Sequence, residues 1–258
     1  MEKVTILKSI VACATYAGFY SINEDYCGYK DLETARVLAV ADGVSGSPEG
    51  EVASRIAVEA FLKKIEEDAQ KVDGKIDRQI IQAAYDEACA AIRAHARGST
   101  TFISVVELED RFLFTYVGDG AIVLTTGNLK YATNLLIPHL GYAGALTRTL
   151  NAQVEHIKPA YIEVEKGFED GEIVLVGTDG ALPRGQVLKT AQMVLEKLRQ
   201  TCQEEGESFS ENSVRRVLKN IVENVLEFDD NRTLGLVLTK KAVSYWLQHG
   251  RKEEITRL

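Results

Sequence analysis

Three aspartates stand where apolar segments give way to loops. Val37-Leu38-Ala39-Val40-Ala41 runs into Asp42-Gly43, Ile173-Val174-Leu175-Val176-Gly177-Thr178 runs into Asp179-Gly180, and Asp229-Asp230-Asn231 precedes the apolar run that starts near Thr233. A charged carboxylate at the rim of a buried strand is costly unless water, a partner or a metal ion satisfies it. Any one Asp-Gly step alone reads as a turn, because both residues favour turns. Two such steps behind near-identical apolar runs, with a third acidic strand end, ask for more. Carboxylates gathered at adjacent strand ends repel one another, and protons or cations must relieve them. Hard oxygen ligands with no His or Cys beside them favour Mg2+ or Mn2+ over Zn2+. Gly43 suits that chemistry, since a residue without a Cβ lets its own carbonyl approach an ion.

The elements that must carry these acids can be read from periodicity. Apolar or alternating runs predict strands over 37–41, 101–108, 111–117, 121–125, 173–176 and 234–239. The middle three are separated only by Glu109-Asp110 and by Gly118-Asp119-Gly120, too short for a crossover helix, so an antiparallel meander is expected. Helices are predicted from Ser47-Pro48-Glu49 to about Glu67, with Ser47 as cap, from about Ile76 to Ala96, from about Gln186 to Cys202, and after Ser210. In the last of these Val214, Val217, Leu218, Ile221, Val222 and Val225 form one stripe. Strands plus long amphipathic helices imply a layered α+β architecture. Residues 127–165 carry few signals and read as an irregular excursion bordering a site.

Composition excludes several classes. The 258 residues include 30 Lys plus Arg against 38 Asp plus Glu, a net charge of -8 with no basic run, so neither a nucleic-acid nor an anionic-membrane partner is expected. No stretch approaches the roughly 18 apolar residues of a spanning helix. Residues Met1 to Lys8 lack an apolar run followed by a cleavage site, and a cytoplasmic location is expected. The four cysteines, Cys13, Cys27, Cys89 and Cys202, show no Cys-x-x-Cys pair and read as reduced thiols. Without repeats or a Pro/Gly-rich linker, one domain over residues 1–240 is expected, followed by a C-terminal extension, 241–258, helical and packed on it.

Several motifs together resemble those of a known family. Asn23-Glu24-Asp25, then Ala39-Val40-Ala41-Asp42-Gly43-Val44-Ser45-Gly46, with Gly50-Glu51 and Ala53-Ser54 behind, is similar to the opening of the PPM (type 2C) metal-dependent serine/threonine protein phosphatases. Gly98-Ser99-Thr100-Thr101, Val117-Gly118-Asp119, Leu146-Thr147-Arg148, Thr178-Asp179-Gly180 and Asp230-Asn231-Arg232-Thr233 follow in the family's order. Several motifs in register are far more specific than one. The resemblance implies a four-layer α-β-β-α sandwich, two antiparallel sheets flanked by helix pairs, with two Mn2+ or Mg2+ ions in a cleft at one end. It implies that Asp42 bridges both ions, that the Gly43 carbonyl completes one sphere, that Asp179 and Asp230 hold the other, and that Asp25 or Glu24 acts through the outer shell. The implied reaction is in-line attack of an activated water on a phosphoserine or phosphothreonine of a protein substrate, opposing a serine/threonine kinase.

The sequence also departs from that pattern. Where the family places an Arg that clamps phosphate, five residues before the Asp of Asn-Glu-Asp, this chain has Tyr20; a phenol cannot bind phosphate in a fork as a guanidinium does. Arg148 and Arg184 are the candidate substitutes. Many members carry a further Asp four residues after that of Thr-Asp-Gly, which helps hold a third ion with the Asp of Val-Gly-Asp. Pro183 stands there, leaving Asp119 either to hold a loose third ion or to centre a hairpin turn. Val44 and Ser45 replace family residues after Gly43, and none of the four histidines falls at a family position; His139, inside the excursion, is the one to test. Tyr20 and Pro183 raise an alternative, a pseudophosphatase that binds phosphoproteins without turning them over. The full set of core aspartates favours the enzyme.

Overall fold

The computed structural model describes residues 8–72 and 75–249. The expectations for the N-terminal residues 1–7, and for a helix beyond residue 249, lie outside the described residues. Two five-stranded antiparallel sheets stack face to face. The first runs β1 (Ile10–Tyr16), β12 (Arg232–Leu238), β11 (Glu172–Gly177), β7 (Ala121–Thr126), β8 (Ala132–Asn134). The second runs β10 (Ala160–Glu165), β6 (Arg111–Val117), β5 (Phe102–Glu107), β3 (Arg36–Asp42), β2 (Asp25–Asp31). A two-residue pairing of β4 (Ser99–Thr100) with β9 (Leu150–Asn151) lies outside them.

Strand periodicity sorts the core into three apolar layers. Val37, Ala39 and Ala41 of β3 face α1 (Gly50–Lys71) and α2 (Arg78–His95), while Leu38 and Val40 face the opposite sheet. Ile173 and Leu175 of β11 face α3 (Val187–Glu205) and α4 (Glu211–Asn220), while Val174 and Val176 point inward. The sandwich is thus α-β-β-α. A further helix, α5 (Lys240–His249), buries Ala242, Val243 and Trp246 in the same layer as α3 and α4, so that face carries three helices. Each fully buried Val or Leu contributes about 1.5–3 kcal/mol, so interior strands apolar on both faces fix this stacking.

Three local expectations are corrected. The helix expected from Ser47 begins at Gly50, because Ser47 Oγ instead accepts the Ser99 N–H at 3.1 Å and Glu49 turns through a positive φ of 57°. The expected meander holds only for β5 and β6; β7 belongs to the other sheet. Gly118 (φ 97°) and Gly120 (φ 104°) flank Asp119, and left-handed backbone on both sides carries the chain between sheets instead of closing a hairpin. Cys13 of β1 and Cys27 of β2 are joined as a disulfide between the sheets, Cα atoms 6.4 Å apart, whereas Cys89 and Cys202 are buried free thiols. Sequence spacing misses that pair because the two strands meet through the stacking of the sheets.

Candidate metal centre

The acids gather at one end of the sandwich because strand ends from both sheets coincide there. Asp25 opens β2 and Asp42 closes β3, and the antiparallel register sets them directly opposite. Beyond Asp42 the chain is held on both sides. The Gly43 N–H donates to the Glu24 carbonyl at 3.0 Å, and the Asp42 carbonyl accepts from Thr101 N–H at 2.8 Å and Thr100 Oγ1 at 2.9 Å. Asp42 N–H in turn donates to Thr101 Oγ1 at 3.2 Å. A Cβ on Gly43 would fall 2.5 Å from the Gly50 carbonyl carbon and 2.9 Å from the Glu24 carbonyl oxygen, so only glycine fits between the β2 loop and α1.

The other sheet supplies Asp179 and Asp230. Thr178 N–H donates to the Thr233 carbonyl at 3.2 Å, tying the end of β11 to the start of β12. Gly180 then lies so close to the neighbouring loop that a Cβ would come 2.0 Å from the Asn231 carbonyl oxygen and 2.8 Å from Asp230 Cβ. Asp179 and Asp230 are therefore forced together. Asn231 crosses between the sheets: its Oδ1 accepts the Glu24 N–H at 2.7 Å and its Nδ2 donates to the Ala17 carbonyl at 2.8 Å.

Electrostatics record the crowding. Burial, then the charges of Asp25, Asp179, Asp119 and Asp230, push the Asp42 carboxyl well above its ordinary value. Burial pushes Asp25 to about 7, even though hydrogen bonds from Thr178 and Thr233 pull the other way. Asp179 is raised by burial, Asp119 and Asp230, and Glu24 by burial and Glu51. Asp25 is 2% exposed; its Oδ2 accepts from Thr178 Oγ1 at 2.8 Å, while its Oδ1 is buried without a hydrogen-bond partner. A buried lone pair among repelling carboxylates is a place where a cation or its bound water is stabilised. Among the described residues no three His, Cys, Asp or Glu side chains close into a ready ligand cage. A hydrated Mg2+-type ion needs few protein ligands, because it keeps several waters. The donor set of Asp42, Asp179, Asp230 and the Gly43 carbonyl fits such ions.

The third position differs. Asp119, 6% exposed, receives the Arg184 guanidinium, with NH2 2.5 Å from Oδ2. Arg148 is engaged elsewhere: it donates to the Lys158 carbonyl and lies 3.4 Å from His139 Nε2. His139 itself is structural in its contacts, accepting the Gly118 N–H at Nδ1 (3.0 Å); burial and Arg148 lower its pKa. Tyr20, 56% exposed, donates its hydroxyl to the Asp229 carbonyl at 3.3 Å. Sequence reasoning missed the positioning roles of Thr178, Asn231, Thr101 and Ser54, whose hydroxyl donates to the Glu24 carbonyl at 2.5 Å. All four sit inside motifs already legible, but their partners lie in distant segments of the chain, and only the fold reveals them.

Comparison with known proteins bears on the family and the fold. The family model described as "Protein phosphatase 2C" matches residues 20–227, ending three residues before Asp230. The fold is similar to that of the Mycobacterium tuberculosis serine/threonine phosphatase PstP/Ppp, at a TM-score of 0.64 and 19% identity over 90% of this chain and 99% of that one. It is also similar to Stp1 from Staphylococcus aureus (TM-score 0.66, 16% identity, 88% and 94% covered) and to the S. agalactiae serine/threonine phosphatase (0.65, 17%, 90% and 99%). No curated protein matches the chain in sequence.

Proposed function

The chain belongs to the protein phosphatase 2C (PPM) family and is a phosphoprotein phosphatase, and from that premise we propose that it hydrolyses phosphoserine and phosphothreonine with two divalent cations, Mn2+ or Mg2+. In this reading Asp42, the Gly43 carbonyl, Asp179 and Asp230 would hold the ions, and Asp25 and Glu24 would act through their outer shell. Such a pair supplies an activated water and offsets the charge that develops on a phosphoryl group in flight. The observation that carries the reading is the convergence of Asp25, Asp42, Asp179 and Asp230 from four chain segments, with the buried Asp25 Oδ1 left unpartnered.

The chain's own residues do the rest. The Thr100-Thr101 contacts hold the Asp42 backbone, and Asn231 locks the Glu24 loop to the Asp230 loop. Arg184 is the better placed of the two candidate phosphate ligands, since it lies beside Asp119 and its charge partly opposes the rise in the Asp179 pKa, whereas Arg148 is bound to the Lys158 carbonyl. The substrate is a phosphorylated protein made by a serine/threonine kinase. A cytoplasmic site of action suits a partner reaction that consumes ATP. No helix among the described residues is long and apolar enough to cross a membrane.

The test is direct. With Mn2+ or Mg2+ the purified protein hydrolyses an aryl phosphate and a phosphothreonine peptide, and chelator or Asp179→Asn abolishes turnover. Metal binding with no turnover of either substrate would mean that the chain acts as a phosphoprotein-binding module.

A further inference from the structure

We propose that Arg184 is a built-in cation at Asp119, so that this phosphatase works with two metal ions and a fixed guanidinium where related chains place a third ion. Three observations carry it. First, the Asp119 side chain is 8% exposed and makes a 2.5 Å ion pair with Arg184, so its charge is already met inside the protein. Second, the position that would offer a second carboxylate is Pro183, which has no ligand atom in its side chain. An incoming ion would have to displace the guanidinium from Asp119. Third, the Arg184 side chain is 47% exposed, so the guanidinium is not enclosed by its pairing with Asp119. Its NH1 lies 3.9 Å from where a β-carbon would stand on Gly144 in the excursion, which places it between that segment and the acids.

A guanidinium is not equivalent to a metal ion. It cannot activate water, and it does not lose its charge at any working pH. It can present a planar fork to a phosphate while one edge stays on a carboxylate. Asp119 thereby becomes a positioning residue that holds Arg184, in a chain whose Tyr20 cannot supply a cation.

The proposal rests on the reading above for its two ions and its kinetic arm; the lack of a third ion at Asp119 is tested by the metal count itself. Mn2+ binding to the whole protein is measured by equilibrium dialysis with elemental analysis, up to millimolar metal. The expected result is two ions per chain, and two again in Asp119→Asn. A third ion in the wild type that Asp119→Asn removes overturns the proposal. No bound ion at all overturns the two-metal reading instead, and the two failures are thereby distinguished. In the kinetic arm, Arg184→Met and Asp119→Asn each raise KM for an aryl phosphate severalfold, with kcat changed less. The double variant is no worse than Arg184→Met, because each substitution removes the same aimed guanidinium. Arg184→Lys restores part of the loss. Multiplicative effects in the double variant overturn the coupling between the two residues, whatever the level of basal activity.

Discussion

Asp25 and Asp42 are the last paired residues of β2 and β3, set directly across from each other at one end of the sheet. Like charges in that relation destabilise a strand pair. Burial aggravates the conflict, holding Asp25 at about 7 against an ordinary 3.8. In the ion-free protein the folded chain keeps a proton that the unfolded chain has released. The stabilising contribution is therefore complete below the unfolded value and is lost as pH rises through the folded one. Chelator-treated protein should melt at a lower temperature at about pH 7.5 than at about pH 5.5, with Mn2+ reversing the loss at the higher pH. Asp25→Asn should flatten the pH dependence. A slope of the opposite sign, or one untouched by that substitution, contradicts the assignment.

Asp42 places function and stability in opposition. Its carboxylate is the most crowded in the cluster, raised by burial and by four other aspartates. Asp42→Asn should cut kcat by at least about a hundredfold, the scale of losing one preorganised electrostatic element. The same change removes a repelling charge from the metal-free protein, and its melting temperature at neutral pH should rise. A gain of 1 kcal/mol corresponds to about 2–4 °C in a chain of this size. Loss of both activity and stability would show that Asp42 is a structural acid.

What the sequence revealed follows the sheet order. The six strands legible from apolar runs, β3, β5, β6, β7, β11 and β12, are all interior to their sheets, and the unread strands of the two five-stranded sheets, β1, β2, β8 and β10, are the four edges. Interior strands are buried on both faces, as in EIVLVG of β11, and leave a strong signal. An edge strand such as β2, DYCGYKD, is half-buried along most of its length and leaves a weak one. The aspartates were legible because each stands at the end of an interior strand or inside a recognisable motif. The Asp119–Arg184 pair was not, because it spans 65 residues and depends on the Gly118 and Gly120 backbone sending β7 to the other sheet.

Thr178 joins the two sheets beneath the acids. Its hydroxyl donates to Asp25 Oδ2 at 2.8 Å and accepts the Thr233 N–H at 3.2 Å, all of it buried. Thr178→Val keeps the shape and removes both bonds, at a cost of about 1–3 kcal/mol in stability. Asp25 then loses its 2.8 Å contact with the Thr178 hydroxyl, and Mn2+ affinity should fall about 10–100-fold, as for partners that orient metal-site groups. Thr178→Ser should recover most of each loss. Calorimetric Mn2+ titration beside thermal melts separates the two effects, and an unchanged affinity in the valine variant removes Thr178 from the site.

The Cys13–Cys27 disulfide closes a loop between residues 14 apart, and that loop contains Asn23, Glu24 and Asp25. By chain entropy a loop of this length is stabilised by about 3 kcal/mol when cross-linked. Its position adds a functional consequence, because Glu24 is anchored from outside the loop: its N–H by Asn231 and its carbonyl by Gly43 and Ser54. A looser β1–β2 connection must order itself before those contacts and any ion can hold it. A thiol reductant, or Cys13→Ser with Cys27→Ser, should lower the melting temperature and weaken Mn2+ binding together. Cys89→Ser should leave Mn2+ binding unchanged, because that thiol lies buried in α2 in the helical layer over β3. If reductant alters neither stability nor metal affinity, the two sulfurs are not bonded in the working protein, and the loop is held by its hydrogen bonds alone.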